Sequence, residues 1–125
     1  MKNYPTNLQL WVYGFQDISL GDRIDYELGL MGFVVEDKYS PDSDECGGSI
    51  VTISTPICFL LNGSAGKELC ENGTYDANRP EPLDLSLLLD EIKRRIYAVS
   101  DQEPGVLVEH EWQDANGNRI RNKKR

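Results

Sequence analysis

The acidic stretch EDKYSPDSDE, at residues 36–45, holds the side chains best suited by type to bind a charged ligand. Carboxylates concentrated in a short segment attract cations, either a hard metal ion or the basic side chains of another protein. Their spacing does not match the calcium-binding loop, which needs acids at positions 1, 3 and 5, glycine at 6 and glutamate at 12. We therefore assign no metal here and predict a docking site for a basic partner. Its candidate partner-binding residues are Glu36, Asp37, Tyr39, Asp42, Asp44 and Glu45.

His110 is the single histidine, so any histidine-based catalysis or metal binding would have to use it. Glu109 and Glu111 flank it, but the alternation of a strand would place both carboxylates on the face opposite the imidazole. No serine or cysteine lies in a G-x-S-x-G motif or another recognised nucleophile setting. We assign no catalytic residue, and an enzyme centred on His110 is the least favoured hypothesis.

The three cysteines, Cys46, Cys58 and Cys70, form no C-x-x-C pair. A four-ligand zinc site would need all three and the single histidine, so we assign no metal and no cofactor. A five-residue loop over 62–66 would place Cys58 opposite Cys70 in a hairpin. Facing positions do not establish disulfide geometry, so bridged and free thiols both stay open, with free thiols favoured.

The formal net charge of −8 is distributed very unevenly. Residues 1–115 carry eight Lys and Arg against 21 Asp and Glu, a net of −13, whereas the last ten residues carry five Lys and Arg and no acid. An anionic body repels nucleic acid phosphate and attracts basic surfaces. We therefore predict a basic protein partner, such as a toxin or nuclease, and no nucleic acid ligand.

The lack of long apolar runs limits the cellular locations and the domain organisation that we expect. No run approaches the roughly 20 residues of a membrane span, and the first five residues lack the apolar core of a signal peptide. We expect a cytoplasmic protein that does not bind a membrane. We also expect one α+β domain over residues 1–118 and a basic, flexible tail over residues 119–125.

Two interpretations of GDRIDYELGLMGF, at 21–33, lead to different folds. Alternation of apolar and polar residues predicts a strand, whereas a stripe of apolar residues spaced by three and four predicts a helix. Gly29 disfavours the helix by about 1 kcal/mol relative to alanine. Candidate N-caps at Asp17 and Ser19 and a glycine stop at Gly32 nevertheless favour a helix over 19–31.

The remaining elements follow from periodicity and turn residues. Strands are predicted over 7–15, 33–39, 49–61 and 106–112, with Pro56 marking an edge or a bulge in the third, and a turn at Asn116-Gly117 leads into a short final strand.

An amphipathic helix is predicted over 83–99, with Asp84 as its N-cap. Its basic triplet at 93–95 is interpreted as an ion-paired surface, with Asp90 pairing Arg94 and Glu91 pairing Arg95 at four-residue spacing.

The order strand, helix, strand, strand, helix, strand predicts a ferredoxin-like βαββαβ fold. In that fold an antiparallel sheet carries two helices on one face and leaves the other face open or available for pairing, here with an extra C-terminal hairpin. If 21–35 is instead one long strand, the alternative is a curved antiparallel sheet wrapped on the single helix 84–99.

The favoured functional hypothesis is a non-enzymatic acidic binding or inhibitor protein that caps a basic partner, of the bacterial immunity-protein, antitoxin or phage-inhibitor kind. In such complexes charge sets the on-rate and a few buried aromatic anchors set the off-rate. The alternative is a small-molecule-binding or regulatory module that uses the open sheet face, monomeric or homodimeric and encoded on a mobile cassette. The candidate aromatic anchors are Trp11, Tyr13, Tyr26, Tyr39 and Trp112.

Overall fold

The computed structural model describes residues 6–40, 47–71, 82–100, 105–114, 116 and 118–119. The strands are β1 (Asn7–Phe15), β2 (Val35–Tyr39), β3 (Gly48–Thr52), β4 (Thr55–Pro56) and β5 (Leu107–Gln113). The helices are α1 (Ile18–Leu30), α2 (Ile57–Leu61), α3 (Ser64–Glu71) and α4 (Pro82–Val99). The predicted α+β class is confirmed.

The sheet is antiparallel and open, with β1 in its interior. β1 pairs with β3 along one edge and with β5 along the other, and β2 pairs with β3, so the order is β2-β3-β1-β5. The short β4 pairs with the start of β1. Both β2 and β5 are therefore edge strands within the described part of the chain.

The predicted ferredoxin-like order with two helices is not reproduced cleanly, because β4, α2 and α3 lie between β3 and α4. The predicted strand over 49–61 is correct only for its first part, and residues 57–61 form a helix. Pro56 explains the change: it has no N–H to donate to a ladder, and its φ of −59° suits the residue that precedes a helix.

Helix α1 confirms the helical interpretation of 19–31 and overturns the curved sheet wrapped on a single helix. Of the two predicted caps, Asp17 is the one used, since its Oδ1 accepts a hydrogen bond from the Ser19 N–H at 3.0 Å. At the other end Gly32 has φ +103°, and the Phe33 N–H donates to the Leu28 carbonyl at 3.0 Å. This is the glycine-terminated helix end that the sequence predicted.

The hydrophobic core lies between one face of the sheet and the helices. The alternating residues Leu8, Leu10 and Val12 of β1 are fully buried on that face. Burial of apolar surface of this kind is the main favourable contribution to folding. The helical side of the core is formed chiefly by Leu20, Ile24, Leu28, Leu60, Leu88, Ile92 and Ile96.

The predicted hairpin around 62–66 is wrong, because this region forms two helices joined at Asn62 and Gly63. The Gly63 N–H donates to the Leu60 carbonyl at 3.1 Å, and the Lys67 N–H donates to the Gly63 carbonyl at 2.9 Å. Cys58 and Cys70 consequently lie on two different helices, and both are free thiols.

Helix α4 confirms the predicted amphipathic helix, but its beginning and one of its ion pairs differ. It begins at Pro82, a residue suited to a first turn, so Asp84 lies inside the helix and is not its N-cap. The pair between Glu91 and Arg95 is confirmed at 2.8 Å. Arg94 pairs with Glu91 instead of Asp90, since a spacing of three also brings side chains together on a helix.

The C-terminal turn carries a single antiparallel bridge between Gln113 and Arg119. Asp114 holds the turn, because its Oδ1 accepts hydrogen bonds from the N–H groups of Asn116 at 3.0 Å and Asn118 at 2.9 Å. The predicted final strand is thus reduced to one bridge in the described residues.

None of the helices in the described ranges combines the length and the apolar character needed to span a membrane.

Candidate functional site

The sheet face opposite the core is the candidate functional surface. In the antiparallel pairs Trp11 lies opposite Glu109 and Val51, and Tyr13 lies opposite Leu107 and Ser49. On the edge strand β2, Asp37 and Tyr39 extend the same face. We call this surface the open face and define it by Trp11, Tyr13, Asp37, Tyr39, Ser49, Val51, Leu107, Glu109 and Glu111.

Large apolar side chains of the open face are left in contact with solvent. Tyr39 is 61% exposed, Leu107 is 58% exposed and Tyr13 is 37% exposed. Scattered exposed apolar residues are ordinary, but several on neighbouring strands of one face are typical of an interaction surface. The open face therefore combines accessible aromatic and aliphatic area with three carboxylates.

A shallow depression of about 260 Å³ lies at the β1–β5 side of the open face. Its position follows from the register, because side chains on directly opposed residues of paired strands lie side by side. The residues that line it are Trp11, Tyr13, Glu109, His110, Glu111 and Arg119. An indole ring, a phenol ring and two carboxylates thus surround one small volume.

Glu111 is held in place from two directions. The Gln113 side-chain amide donates to Glu111 Oε1 at 2.9 Å, and Arg119 Nε lies 3.1 Å from Glu111 Oε2. Gln113 is itself buried and donates to Gln9 Oε1 at 2.9 Å, so the group that orients Glu111 is fixed. Glu109 has no ion pair with any cation in the described part of the chain.

His110 lies on β5 directly opposite Leu10 of β1, so the register assigns it to the core side, but on this edge strand the residue is exposed and also lines the depression. Its ring makes an edge contact with Trp112, with centroids 6.4 Å apart. Burial, together with the positive charge of Lys93, lowers the pKa of His110 below 6.5, which favours a neutral imidazole at pH 7. The register also confirms that Glu109 and Glu111 belong to the opposite face.

The described residues do not assemble a catalytic or metal-binding set around His110. No described serine, cysteine or carboxylate forms a hydrogen bond with its imidazole, and a nucleophile needs such a base within about 3.2 Å. Over the described ranges, no group of three or more His, Cys, Asp or Glu side chains is arranged to hold a metal ion.

Only part of the predicted partner-binding set can be placed. Glu36, Asp37 and Tyr39 are exposed on β2, whereas Asp42, Asp44 and Glu45 lie outside the described residues.

Of the candidate anchors, Trp11, Tyr13 and Tyr39 belong to the open face. Tyr26 is exposed on α1, and Trp112 packs against the core.

The predicted partner-binding residues did not include Leu107, Glu109 and Glu111. The alternation of VLVEHEW already placed these three on one face of a strand. The missing information was the pairing of that strand with β1, which brings them beside Trp11 and Tyr13.

A second group of carboxylates lies in the helical layer and is neutralised internally. Arg95, only 20% exposed, contacts Glu91 at 2.8 Å, Glu27 at 3.8 Å and also Glu68. Hydrogen bonds from Arg94 and, secondarily, Arg95 lower the pKa of Glu91 below its ordinary value of 4.5. These acids join three helices, and most of their charge is compensated by Arg94 and Arg95.

Lys38 neutralises two further acids of α1. Its Nζ lies 2.8 Å from Asp22 and 3.1 Å from Asp25, and the hydrogen bond to Asp22 is the main reason that the pKa of Lys38 is raised above 10.5. Although Lys38 stands between Asp37 and Tyr39 in β2, it points towards α1. The acidic side chains of the open face are therefore not compensated by it.

Comparison with known protein families, with curated proteins and with solved structures found no match. The function is therefore inferred from the geometry and the charges of the open face.

Proposed function

We propose that this protein is a non-enzymatic acidic binding protein that caps a basic partner protein through its open face. One observation carries the proposal. A single uncovered face of the sheet presents the exposed side chains of Tyr13, Tyr39 and Leu107 together with the carboxylates of Glu109 and Glu111. Aromatic side chains surrounded by charged ones are the composition typical of the centre and rim of a protein interface.

Charge supports a basic partner in preference to an acidic or neutral one. With a net charge of −8, the protein attracts cationic surfaces over a distance set by the ionic strength, about 10 Å at 0.1 M salt. The carboxylates on the open face direct that attraction to the surface that carries the aromatic anchors. Association should therefore be fast at low salt and slower as salt rises.

The predicted acidic stretch contributes to the same surface from its first half. Asp37 and Tyr39 lie on the open face, next to Val51 and Ser49 of β3. The proposal thus keeps these two residues as partner-binding residues and adds Trp11, Tyr13, Leu107, Glu109 and Glu111.

A capture experiment with paired variants tests this function. Immobilised wild-type protein is exposed to a lysate of the source cell at about 50 mM and about 200 mM salt, and retained proteins are identified by mass spectrometry. The test variant is Tyr39→Ala with Leu107→Ala on the open face. The matched control is Tyr26→Ala with Phe59→Ala, which removes exposed apolar side chains from α1 and α2.

We expect basic proteins to be retained by the wild type and by the control variant, mostly at low salt, and to be lost by the open-face variant. Equal retention by both variants would contradict the proposal, because binding would then not depend on the open face. Retention that is selective for acidic or neutral proteins would contradict the predicted partner chemistry.

The small-molecule-binding module is the second candidate, favoured by the depression beside Trp11 and Tyr13. Salt dependence separates the two candidates. An apolar ligand in this depression would bind almost equally at low and high ionic strength, whereas a basic protein would dissociate as charges are screened. Dimer formation through the open face is disfavoured, since it would bring Asp37, Glu109 and Glu111 of two copies together.

A further inference from the structure

The depression on the open face has the chemistry of a site for an arginine side chain. Trp11 lies directly opposite Glu109 in the β1–β5 pairing, so an aromatic ring and a carboxylate adjoin. A guanidinium group stacks on aromatic faces and forms paired hydrogen bonds with carboxylates. A compact ammonium group forms the ionic contact without the same planar stacking.

The protein already places one of its own arginines there. Arg119 lines the depression, and its Nε lies 3.1 Å from Glu111 Oε2. The backbone of Arg119 is joined to the sheet by one bridge to Gln113, while its side chain is 71% exposed. A side chain held this weakly can be displaced, because exposed ion pairs contribute little to stability.

The charged residues that line the depression can pair with a second cation. Glu109 and Glu111 supply two negative charges, and Arg119 is the cation among the described lining residues. Glu111 is oriented by the buried Gln113, whose amide reaches Glu111 Oε1 at 2.9 Å. One carboxylate is thus preset for an arginine, and the other is left without a cationic partner in the described chain.

We infer that this depression binds an arginine side chain of the basic partner, and that Arg119 is an intramolecular competitor for one of its two carboxylates, Glu111. The inference rests on the proposed function and names the chemistry by which the partner is recognised. Removing Arg119 should therefore strengthen binding, whereas neutralising Glu109 should weaken it.

Fluorescence anisotropy with a labelled arginine hexapeptide, at about 50 mM salt, measures this directly. Arg119→Ala should bind the peptide about three- to tenfold more tightly than the wild type, because Glu111 is freed. The matched control is Arg23→Ala, which makes the same change in net charge at an exposed position of α1. That control should bind like the wild type to within about twofold.

Neutralisation of the acids gives the opposite change. Glu109→Gln keeps the shape of the side chain and should weaken binding about tenfold, whereas Glu36→Gln, an exposed acid on β2 outside the depression, should weaken it about twofold or less. Trp11→Leu should reduce the preference for the arginine hexapeptide over a lysine hexapeptide, because stacking is lost. Circular dichroism spectra of the variants check that each one is folded.

Two results would overturn the inference. One is equal weakening by Glu109→Gln and Glu36→Gln, which would indicate only general charge attraction. The other is unchanged binding in Arg119→Ala. If either is found while retention of basic proteins still requires Tyr39 and Leu107, the inferred arginine site is wrong and the proposed function stands. If capture of basic proteins fails as well, both fail.

Discussion

Two groups of glutamates in this protein meet different arginines. Between three helices, Arg95 is surrounded by Glu27, Glu68 and Glu91. On the open face, the exposed Arg119 pairs with Glu111 and leaves Glu109 without an ion pair in the described chain. The two groups consist of the same residue type in the same strongly acidic chain. They differ in the cation that each one meets, because Arg95 is largely buried and Arg119 is largely exposed.

This difference separates carboxylates that stabilise the fold from carboxylates that are available for binding. An acid paired with a largely buried arginine exchanges water for a charge-assisted hydrogen bond, and removing the arginine takes that hydrogen bond away. Glu109, which is exposed and has no cationic partner in the described part of the chain, stays hydrated and retains its long-range attraction for cations. Net charge therefore suggested a basic partner, but it did not indicate which acids would contact it.

The largest expected effect is the loss of stability in Arg95→Ala. Glu91 and Glu27, with side chains 12% and 17% exposed, would lose their shared cation. We expect the free energy of unfolding to fall by about 2–3 kcal/mol, less than for a fully buried pair. Urea denaturation measures it without adding salt. Arg23→Ala, at an exposed position of α1, is the control, and an equal loss in that variant would contradict a special role for Arg95.

Acidification should weaken the ion pairs that Glu91 forms in the helical layer. Because the pKa of Glu91 is lowered in the fold, its ion pairs stabilise the protein at pH values above about 4.5, and this contribution is lost as pH falls through the lower folded value. Urea denaturation between neutral and acidic pH should show Glu91→Gln about 1 kcal/mol less stable at pH 7, with a smaller difference in acid. A difference independent of pH would refute the electrostatic explanation.

A smaller effect concerns His110, at the border of the open face. Since burial and Lys93 lower its pKa, its contribution to stability is present above pH 6.5 and decreases as pH falls below that value. As the single histidine, it gives one imidazole signal in a proton NMR titration. The midpoint should lie below 6.5 and should rise in Lys93→Met. A midpoint above 6.5 would show that an acid of the depression dominates instead.

The smallest expected effect is on stability when an apolar side chain of the open face is removed. Leu107→Ser should change the free energy of unfolding by no more than about 0.5 kcal/mol, because the side chain is 58% exposed. Val108→Ala, one residue later and facing the core, should cost about 1–2 kcal/mol. Thermal denaturation of the two variants compares the faces, and similar losses would mean that the open face is covered.

Local patterns were sufficient for the elements with strong periodicity. The strand over 7–15 and the helices over 19–31 and 83–99 were predicted from side-chain spacing, an N-cap and a terminal glycine, and each is present. These signals are local, so neighbouring residues alone carry them. The strand predicted for residues 57–61 is wrong because this apolar run is short, and a short apolar run fits a strand and a helix equally well.

The candidate site was predicted in part. The acidic stretch led to Asp37 and Tyr39, and the aromatic residues of β1 were recognised as candidate anchors. Glu109 and Glu111 were considered only as neighbours of His110, because a strand taken alone does not reveal its partner strand. The register that brings them beside Trp11 is a long-range property of the sheet.

The amino-acid sequence by itself determined the acidity, the basic C-terminal end, the α+β class and most helix and strand positions, because these depend on composition and on contacts within a few residues. Tertiary structure alone decided which acids are neutralised and which are accessible. Packing of α1, α3 and α4 brings Glu27 and Glu68 to Arg95, and pairing of β1 with β5 sets Glu109 beside Trp11. Charges and rings act through their distance in space, which separation along the chain does not specify.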